Sequence, residues 1–388
     1  MNNISRFNGC SNCGACLNIC PTKAIAVDNG GLFYEVGVDE KKCVDCGRCV
    51  EVCPWNNERE VQNLSAAYGG FAKDKETVAK SSSGGIFSAV ADLILKKGGV
   101  VFGAVYSKDR HSVIFGSTDE FDLDEIRRSK YTESLVGNTF SEIKNILKTG
   151  RQVLFCGAPC QVAGLKRYLE KDYDNLLTCD FACGGFPSHK VFDDYLSALE
   201  KKYGSKTKSV NFRTKKFGWG RHGISITFEN GKEYLSPAEI DPYFHSFIYT
   251  HLINRENCFD CKFINNHYSD LVLADFWKYE LSSLKNDFTG LSLILVNSQK
   301  GETVLKEISQ EVTLEPVDLH AASYNCRAKA ALTPEKAEKR KLFIKTLSEK
   351  GLRAAAISAG MPSGGKAFYI KNKIRFVLFL RKTGIKKL

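Results

Sequence analysis

The chain has 388 residues, of which 43% are hydrophobic and 15 are cysteines. This length predicts two or three domains, and the hydrophobic content is sufficient for a sizeable core. Fifteen cysteines are hard to keep reduced outside the cell, so the composition favours a reducing compartment. The first residues lack an apolar signal region, and no apolar run reaches the length of a spanning helix. We therefore predict a cytoplasmic protein.

The formal net charge of +11 is unevenly distributed. Residues 350–388 contain ten basic side chains and no acidic one, which leaves only +1 for the rest of the chain. Because the charge lies in one tail without a recognition module, the sequence predicts no nucleic-acid partner.

Two cysteine runs of identical spacing lie near the start. The second run repeats the first 33 positions later, each ending in Cys-Pro: Cys10, Cys13, Cys16, Cys20; Cys43, Cys46, Cys49, Cys53. Runs of this spacing hold [4Fe–4S] clusters, and the fourth cysteine of each run ligates the other cluster. Zinc sites rarely use this spacing, and two-residue loops strain disulfides. We assign one cluster to Cys10, Cys13, Cys16 and Cys53, and the second to Cys43, Cys46, Cys49 and Cys20. Residues 1–57 are then a small ferredoxin-like domain with short strands at 24–27 and 32–36.

Alternating strands and helices follow a linker at 57–66. Strands are predicted at 100–106, 152–156, 175–178 and 291–296, and helices within 119–148 and over 162–170. The loop 81–85 (Ser-Ser-Ser-Gly-Gly) opens an amphipathic helix over 86–97, with a serine as N-cap and glycines at its end. Free N–H groups at such a helix start suit a phosphate, although an ordinary cap explains the pattern equally well. The fold class is α/β with α+β character: the dicluster module followed by a mixed-sheet domain.

The later cysteines form a less regular group. Cys258 and Cys261 supply half of a metal site, and Cys160 and Cys183 are the natural partners. Cys160 follows a strand and opens a helix, where the helix dipole favours a thiolate. Taken singly, three others are best explained as inert buried thiols: Cys156, Cys179 and Cys326. A competing hypothesis makes Cys160 a nucleophile with His189 as its base.

The C-terminal region, 331–388, is predicted to be a basic helical tail. A charged helix begins at Pro334 and ends at Gly351. Residues 366–382 then mix large apolar residues with cations and contain no acid. Such a composition suits an interfacial helix on an anionic membrane, or else a basic helix docked on the protein body.

The central motifs resemble the coenzyme F420 hydrogenase/dehydrogenase beta-subunit family over roughly residues 5–330. The motifs that carry this resemblance are Ser-Ser-Ser-Gly-Gly at 81–85, Ser-Lys-Tyr at 129–131 with Ser134, Gly-Ala-Pro-Cys-Gln at 157–161, Cys-Gly-Gly-Phe-Pro-Ser at 183–188, the pair Cys258 and Cys261, and 269–277 ending in Asp-Phe-Trp. A dicluster module in front is similar to bacterial members found with surface-polysaccharide enzymes and to the plant chlorophyll-cycle reductase. Two departures are Gly184, where a histidine is common, and Ala274, where a glycine is usual.

The resemblance implies a flavin domain over 67–330 that binds FAD beside a third [4Fe–4S] cluster. By position, the flavin contacts would be Ser82, Ser83, Gly84, Gly85, Lys130 and Gln161. The third cluster would be held by Cys160, Cys183, Cys258 and Cys261. The implied activity is that of an iron–sulfur, flavin-dependent oxidoreductase linked to F420 or to a ferredoxin. It takes electrons from a ferredoxin-like donor and reduces a small organic acceptor. The alternative is an electron-relay subunit of a larger redox complex with no substrate of its own.

Overall fold

The computed structural model describes residues 2–6, 9–57, 64–277, 289–319 and 331–382. The strands are β1 Ile25–Asp28, β2 Glu35–Val38, β3 Ala66–Ala72, β4 Val100–Tyr106, β5 Val113–Ser117, β6 Ser134–Leu135, β7 Val153–Cys156, β8 Leu176–Phe181, β9 Thr207–Asn211, β10 Gly223–Phe228, β11 Glu233–Pro237, β12 Leu271–Asp275, β13 Ser292–Val296 and β14 Val312–Pro316. The shorter helices are α1 Ala15–Ile19, α2 Arg48–Glu51, α3 Lys75–Lys80, α4 Ile86–Lys96, α5 Leu123–Ile126, α6 Thr139–Lys148, α7 Pro159–Leu169, α8 His189–Tyr203, α9 Pro242–Ile248 and α10 Gln299–Glu307. Two longer helices follow, Pro334–Ser358 and Gly364–Lys382.

A mixed sheet of nine strands forms the centre of the molecule, in the order β14-β3-β13-β12-β8-β7-β4-β5-β6. Although β12 is antiparallel to β13 and β4 to β5, the four consecutive strands β12, β8, β7 and β4 are parallel to one another. Their carboxyl ends therefore open at one edge of the sheet, which is where α/β proteins usually bind ligands. The predicted α/β class with a mixed sheet is confirmed.

Continuous apolar strands explain why this sheet is buried on both faces. In β7, Val153, Leu154 and Phe155 are all fully buried, as expected for a strand covered by helices on both sides. The core on one face includes α4, and the core on the other includes α6 and α7.

A second sheet, β11-β10-β9, packs against helices α8 and α9 and the helix Pro334–Ser358. Its core is aromatic and contains fully buried Phe192, Phe212, Tyr243 and Phe244. Gly351 adopts a φ of 79° and interrupts the long helix at the residue where the sequence predicts its end.

The ferredoxin module contains α1, α2 and the antiparallel pair β1–β2. Helix α1 packs against α6 and α7, and buried Cys13 and Cys16 belong to the same core as Phe140 and Leu165. The module therefore shares a hydrophobic core with one face of the central sheet.

Several local predictions differ from the structure. Helix α4 is capped by Gly85 in the left-handed conformation, with no side-chain cap, because the serines before it bond elsewhere: Ser81 Oγ donates to Thr77 O and Ser83 Oγ to Leu291 O. Helix α7 begins at Pro159, three residues earlier than predicted. Cys326 and most of the 57–66 linker lie outside the described residues.

Candidate metal centres and cofactor cavity

The inner set consists of the four cysteines assigned to the first cluster: Cys10, Cys13, Cys16 and Cys53. Burial raises the pKa of the Cys13 thiol to about 12, and the neighbouring charges of Cys53 and Cys10 add to this effect. Cys16 is influenced in the same way by Cys13, Cys10 and Cys53. The charges that act on Cys13 and Cys16 thus include Cys53, the fourth cysteine of the second run, and Cys16 is also influenced by Cys49 of the outer set.

The outer set consists of Cys20, Cys43, Cys46 and Cys49, which line one small cavity together. Cys46 is exposed and Cys20 and Cys43 are half-buried, whereas Cys49 is buried. Val44, beside them, is 63% exposed. The outer set therefore lies at the surface of the module.

The third set consists of Cys160, Cys183, Cys258 and Cys261. Burial is the largest of the effects that raise the pKa of Cys160 well above its ordinary value. The charges of four neighbouring thiols raise it further: Cys261, Cys183, Cys13 and Cys258. The four thiols therefore lie close to one another, although they come from α7, the segment after β8 and the loop after α9. Cys13 of the inner set is also one of the neighbours of Cys160.

Helix α7 carries the contact between the inner and third sets. A Cβ built on Gly164 would lie 3.1 Å from Cys13 Sγ and 3.2 Å from Cys13 Cβ. Cys160 lies one turn earlier on the same helix. A glycine at this position lets the two sets approach each other.

The environment of the thiols suits iron–sulfur clusters. Backbone N–H groups approach cysteine sulfur in all three sets: Asn12 N to Cys10 (3.3 Å), Ala24 N to Cys20 (3.2 Å), Gly185 N to Cys183 (3.4 Å) and Phe186 N to Cys258 (3.3 Å). Such bonds stabilise sulfur charge and tune cluster potentials. In the described ranges, no three His, Cys, Asp or Glu side chains are grouped so that they could hold one metal ion.

Cys160 lies at a helix start, but burial opposes its ionisation when no ligand is bound. The helix dipole favours ionisation, but the side chain is 7% exposed and burial raises its pKa. His189, the base in the competing hypothesis, stacks on Tyr34 with ring centroids 3.7 Å apart. Cys160 has thiols around it instead.

A cavity of about 260 Å³ opens at the carboxyl ends of β7, β8 and β12. Phe115, Phe186 and Phe247 form apolar parts of its wall, and the loop Ser81–Ser83 forms a polar part. Cys183 of the third set and Gly184 also line it. The cavity therefore connects the serine loop to the third set, and its volume is near the lower end for ligand pockets.

The structure brings five of the six predicted flavin contacts to this cavity: Ser82, Ser83, Gly85, Lys130 and Gln161. Gly84 lies behind them, where a Cβ would be 2.5 Å from Gly70 O and 2.9 Å from Ser292 N. Ser82 Oγ accepts a hydrogen bond from Ser129 N. The serine loop is thus fixed against the sheet by a glycine that cannot be enlarged without movement.

Two of these residues already have protein partners. Lys130 Nζ donates to the carbonyls of Glu125 (2.6 Å), Ile126 (2.9 Å) and Arg127 (2.7 Å), so it closes the end of α5. Burial lowers its pKa to about 7. Gln161 accepts from Ala158 N and donates to Ser134 Oγ, each at 2.9 Å. Both shape the wall of the cavity as well as lining it.

Cations around the serine loop were missed by sequence reasoning. Arg127 and Arg128 line the cavity, and the buried Nε of Arg127 has no hydrogen-bond partner in the described part of the chain. Arg213 Nη2 donates to Ser82 O and forms an ion pair with Asp275, and Lys215 Nζ donates to Ser83 O at 2.9 Å. Of the residues in this group, Asp275 alone belongs to a motif named from the sequence. The basic residues could not be predicted because they follow no recognisable spacing. Arg213 is paired with Asp275, and Arg127 is paired with Asp124 and Asp92. The excess positive charge beside the serine loop therefore comes from Arg128 and Lys215.

The two remaining described cysteines have different surroundings. Cys156 ends β7 and lines the cavity, opposite Cys179 in the parallel register of β7 and β8. Burial raises the pKa of Cys156 to about 12. Cys179 is fully buried inside β8. Neither is among the largest influences on the pKa of Cys160 or Cys183.

Comparison with known proteins gives two family matches. Residues 9–57 match the 4Fe–4S dicluster domain. Residues 150–321 match the family described as the C terminus of the coenzyme F420 hydrogenase/dehydrogenase beta subunit. No curated protein matches the chain.

Among solved structures, the chain is similar to one from the xenon-derivatised F420-reducing [NiFe] hydrogenase complex of Methanosarcina barkeri. The two are 16% identical with a TM-score of 0.46, over 76% of this chain and 97% of that one.

The family matches coincide with the cysteine sets. The dicluster match covers the inner and outer sets, and the beta-subunit match begins at β7 and includes the whole third set. The chain thus contains a stretch that matches a 4Fe–4S dicluster domain, followed by one that matches the C terminus of the coenzyme F420 hydrogenase/dehydrogenase beta subunit, and these two matches relate it to iron–sulfur electron-transfer subunits of that kind.

Proposed function

We propose that the chain is an iron–sulfur flavoprotein that transfers electrons from a ferredoxin-like donor to a small organic acceptor. The observation that carries this proposal is one cavity lined both by the serine loop and by Cys183. Two one-electron oxidations of the donor would balance the two-electron reduction of one acceptor molecule, with protons taken from solvent. When bound, the clusters would supply single-electron transfer and the flavin would supply two-electron chemistry.

The exposure of the cysteines suggests a direction for electron entry. The outer set lies at the surface beside exposed Val44, so it suits contact with a donor protein. The inner set is next to the third set through Cys13 and Gly164. The order outer, inner, third set would lead from the surface of the module to the cavity.

The residues of the cavity fit a flavin adenine dinucleotide. Arg128 and Lys215 place positive charge near the serine loop, which would complement a pyrophosphate. Phe115, Phe186 and Phe247 of the lining would contact a flat ring, and Cys183 of the third set lines the same cavity. Ser82, Ser83 and Gly85 would line the bound cofactor, while Gly84 and Lys130 would hold the surrounding backbone.

Anaerobic purification and reconstitution of the full chain test this proposal. We expect about twelve iron atoms and one flavin per chain, with four irons for each cubane. Reduced ferredoxin should bleach the flavin absorbance, and candidate acceptors, F420 included, should restore it. About eight iron atoms per chain would contradict the presence of a third cluster. A chain that holds its clusters but binds no flavin would contradict the flavin mechanism.

Turnover of a small molecule at the cavity would distinguish an enzyme from an electron-relay subunit. A relay would pass electrons to a partner protein without turnover of a small molecule. An acceptor that reoxidises the isolated reduced chain through many cycles supports the enzyme. Reoxidation only by a partner protein would support the relay.

We further infer that the helix Gly364–Lys382 contacts an anionic membrane surface. Its exposed aromatic residues are Phe368 (69% exposed), Tyr369 (64%), Phe376 (61%) and Phe379 (59%). With 3.6 residues per turn they fall within an arc of about 100°. Ile374, on the opposite side, is only 5% exposed.

Charge supports a lipid surface as the partner of this face. The exposed cations Lys371 and Arg375 lie on one side of the aromatic arc, and Lys366 and Lys373 on the other. The helix contains no acid. Aromatic residues flanked by cations are typical of helices that lie in the interface of anionic bilayers. In the described ranges no helix combines the length and apolarity needed to traverse a bilayer.

Vesicle sedimentation tests the membrane contact. Full-length protein should sediment with phosphatidylglycerol vesicles, less so in high salt, and not with phosphatidylcholine vesicles. Phe368→Ser with Phe376→Ser should abolish binding, while Leu342→Ser, an exposed apolar residue on the preceding helix, should leave it unchanged. Equal binding by the double variant, or concentration-dependent dimerisation without vesicle binding, would contradict the inference.

A further inference from the structure

The guanidinium of Arg255 lies where the ferredoxin module meets the loop of the third set. Its side chain is 5% exposed. Nη1 donates to Cys10 O at 3.3 Å and Nη2 donates to Tyr34 O, both in the module. Its own backbone carbonyl accepts from Cys258 N at 3.1 Å. One residue therefore contacts the backbone of a cysteine in the inner set and of a cysteine in the third set.

A buried carboxylate orients this arginine. Glu133 is fully buried, and its Oε1 accepts from Arg255 Nε at 2.6 Å. Its Oε2 accepts from Tyr34 N at 3.1 Å. Glu133 thus binds the backbone N–H of Tyr34 and Arg255 binds its carbonyl. The segment that leads into β2 is therefore held at both backbone groups of one residue.

Two carboxylates flank the guanidinium. Besides Glu133, the exposed Glu35 of the module lies 3.5 Å from Nη1. Asn257 Nδ2 donates to the same Cys10 carbonyl at 3.0 Å and carries no charge.

We propose that Arg255 is a positioning residue that fixes the ferredoxin module against the third set and places one buried positive charge between the inner and third sets of cysteines. This proposal rests on the proposed function, since it concerns clusters held by those cysteines. A positive charge favours the more negative, reduced form of a nearby cluster, so it raises the reduction potential of that cluster.

Redox titration of the reconstituted chain, followed by electron paramagnetic resonance, tests the proposal. In Arg255→Gln we expect lower midpoint potentials for two of the three clusters, and weaker magnetic coupling between those two. Arg255→Lys, which keeps the charge, should retain potentials near those of the unaltered chain. Asn257→Ala, which loses a bond to the same carbonyl but no charge, should leave the potentials unchanged.

Iron content is measured first in every sample. An unaltered chain without iron defeats the proposed function, which is a different outcome from failure of this inference. If Arg255→Gln does not retain its iron, the role of Arg255 is judged by comparing the midpoint potentials of the clusters in Arg255→Lys with those in Asn257→Ala. Fully loaded Arg255→Gln with unchanged potentials and coupling, or equal shifts in Asn257→Ala, would overturn the role of Arg255.

Discussion

Cys160 lies in the first turn of α7 with the other three thiols of the third set around it. We expect Cys160→Ser to lose about four of roughly twelve iron atoms, because a cubane needs its four thiolates. Colorimetric iron determination together with the intensity of the cluster signal measures this loss.

Cys156→Ser is the matched control for that prediction. Cys156 lines the same cavity but is not among the charged neighbours of the third set. Its replacement should keep the full iron content. Retained iron with lost activity in Cys160→Ser would instead support a nucleophilic cysteine.

His111 offers a prediction about pH at a distance from the cysteines. Its burial opposes the charged form, but hydrogen bonds to Asp193 (2.7 Å) and Glu200 (3.1 Å) outweigh burial and raise its pKa. The resulting stability is fully present below pH 6.5, the ordinary pKa, and is lost as the pH rises through the higher folded-state value. We expect a contribution of about 1 kcal/mol or less.

Denaturant unfolding at several pH values measures this contribution. The unaltered chain should lose stability relative to His111→Gln as the pH rises above 6.5. A constant difference between the two proteins from pH 5.5 to 8.5 would show that the ion pair does not form.

At the scale of elements, the contact between α1 and α7 depends on one small residue. Leucine at position 164 has no room, because even a Cβ would be 3.1 Å from Cys13 Sγ. We expect Gly164→Leu to displace the module, with faster hydrogen exchange in α1 and a loss of inner-set iron. The cost is expected to be about 1–3 kcal/mol, as for other overpacked cores.

Gly220→Leu serves as the control, since a Cβ at Gly220 meets no atom within 4 Å. It should leave iron content and exchange in α1 unchanged. Normal iron and exchange in Gly164→Leu would mean that the module is held elsewhere.

The elements also show what the sequence could predict. The paired cysteine runs determine the inner and outer sets, because ligand spacing is local and repeated. For the third set, the sequence offered Cys160 and Cys183 only as candidate partners of Cys258 and Cys261, and the resemblance supplied the full set, since Cys160 and Cys258 are almost a hundred residues apart. Arg213, Arg255 and Glu133 were not predicted, because tertiary contacts alone give them their roles. The predicted serine cap of α4 was wrong because Ser81 bonds back to Thr77 in the preceding helix and Ser83 bonds to the distant carbonyl of Leu291.

For the whole molecule, the shared core makes cofactor content and stability interdependent. Buried Cys13, Cys16 and Cys160 lie in one core with Phe140 and Phe155. Removing iron leaves four or more thiols in that core without their ligand, so we expect a lower Tm and faster exchange in α1, α6 and α7. Ligand loss destabilises by mass action wherever the ligand binds only the folded state.

Differential scanning calorimetry and hydrogen exchange before and after chelation measure this effect. The sheet β9–β11, which belongs to a different core, should exchange at the same rate in both forms. Uniform loosening of both cores would mean that the whole molecule unfolds as one unit.

Strand β3 lies between β13 and β14, although some 220 residues separate it from β13 in the chain. A ribosome adds roughly 5–20 residues per second, so β3 emerges about 10–50 s before residue 316 completes its second partner. The cysteine runs end at residue 53, well before that moment. The nascent chain thus exposes all eight cysteines of the first two sets while the domain that will bury Cys13 and Cys16 is still being synthesised.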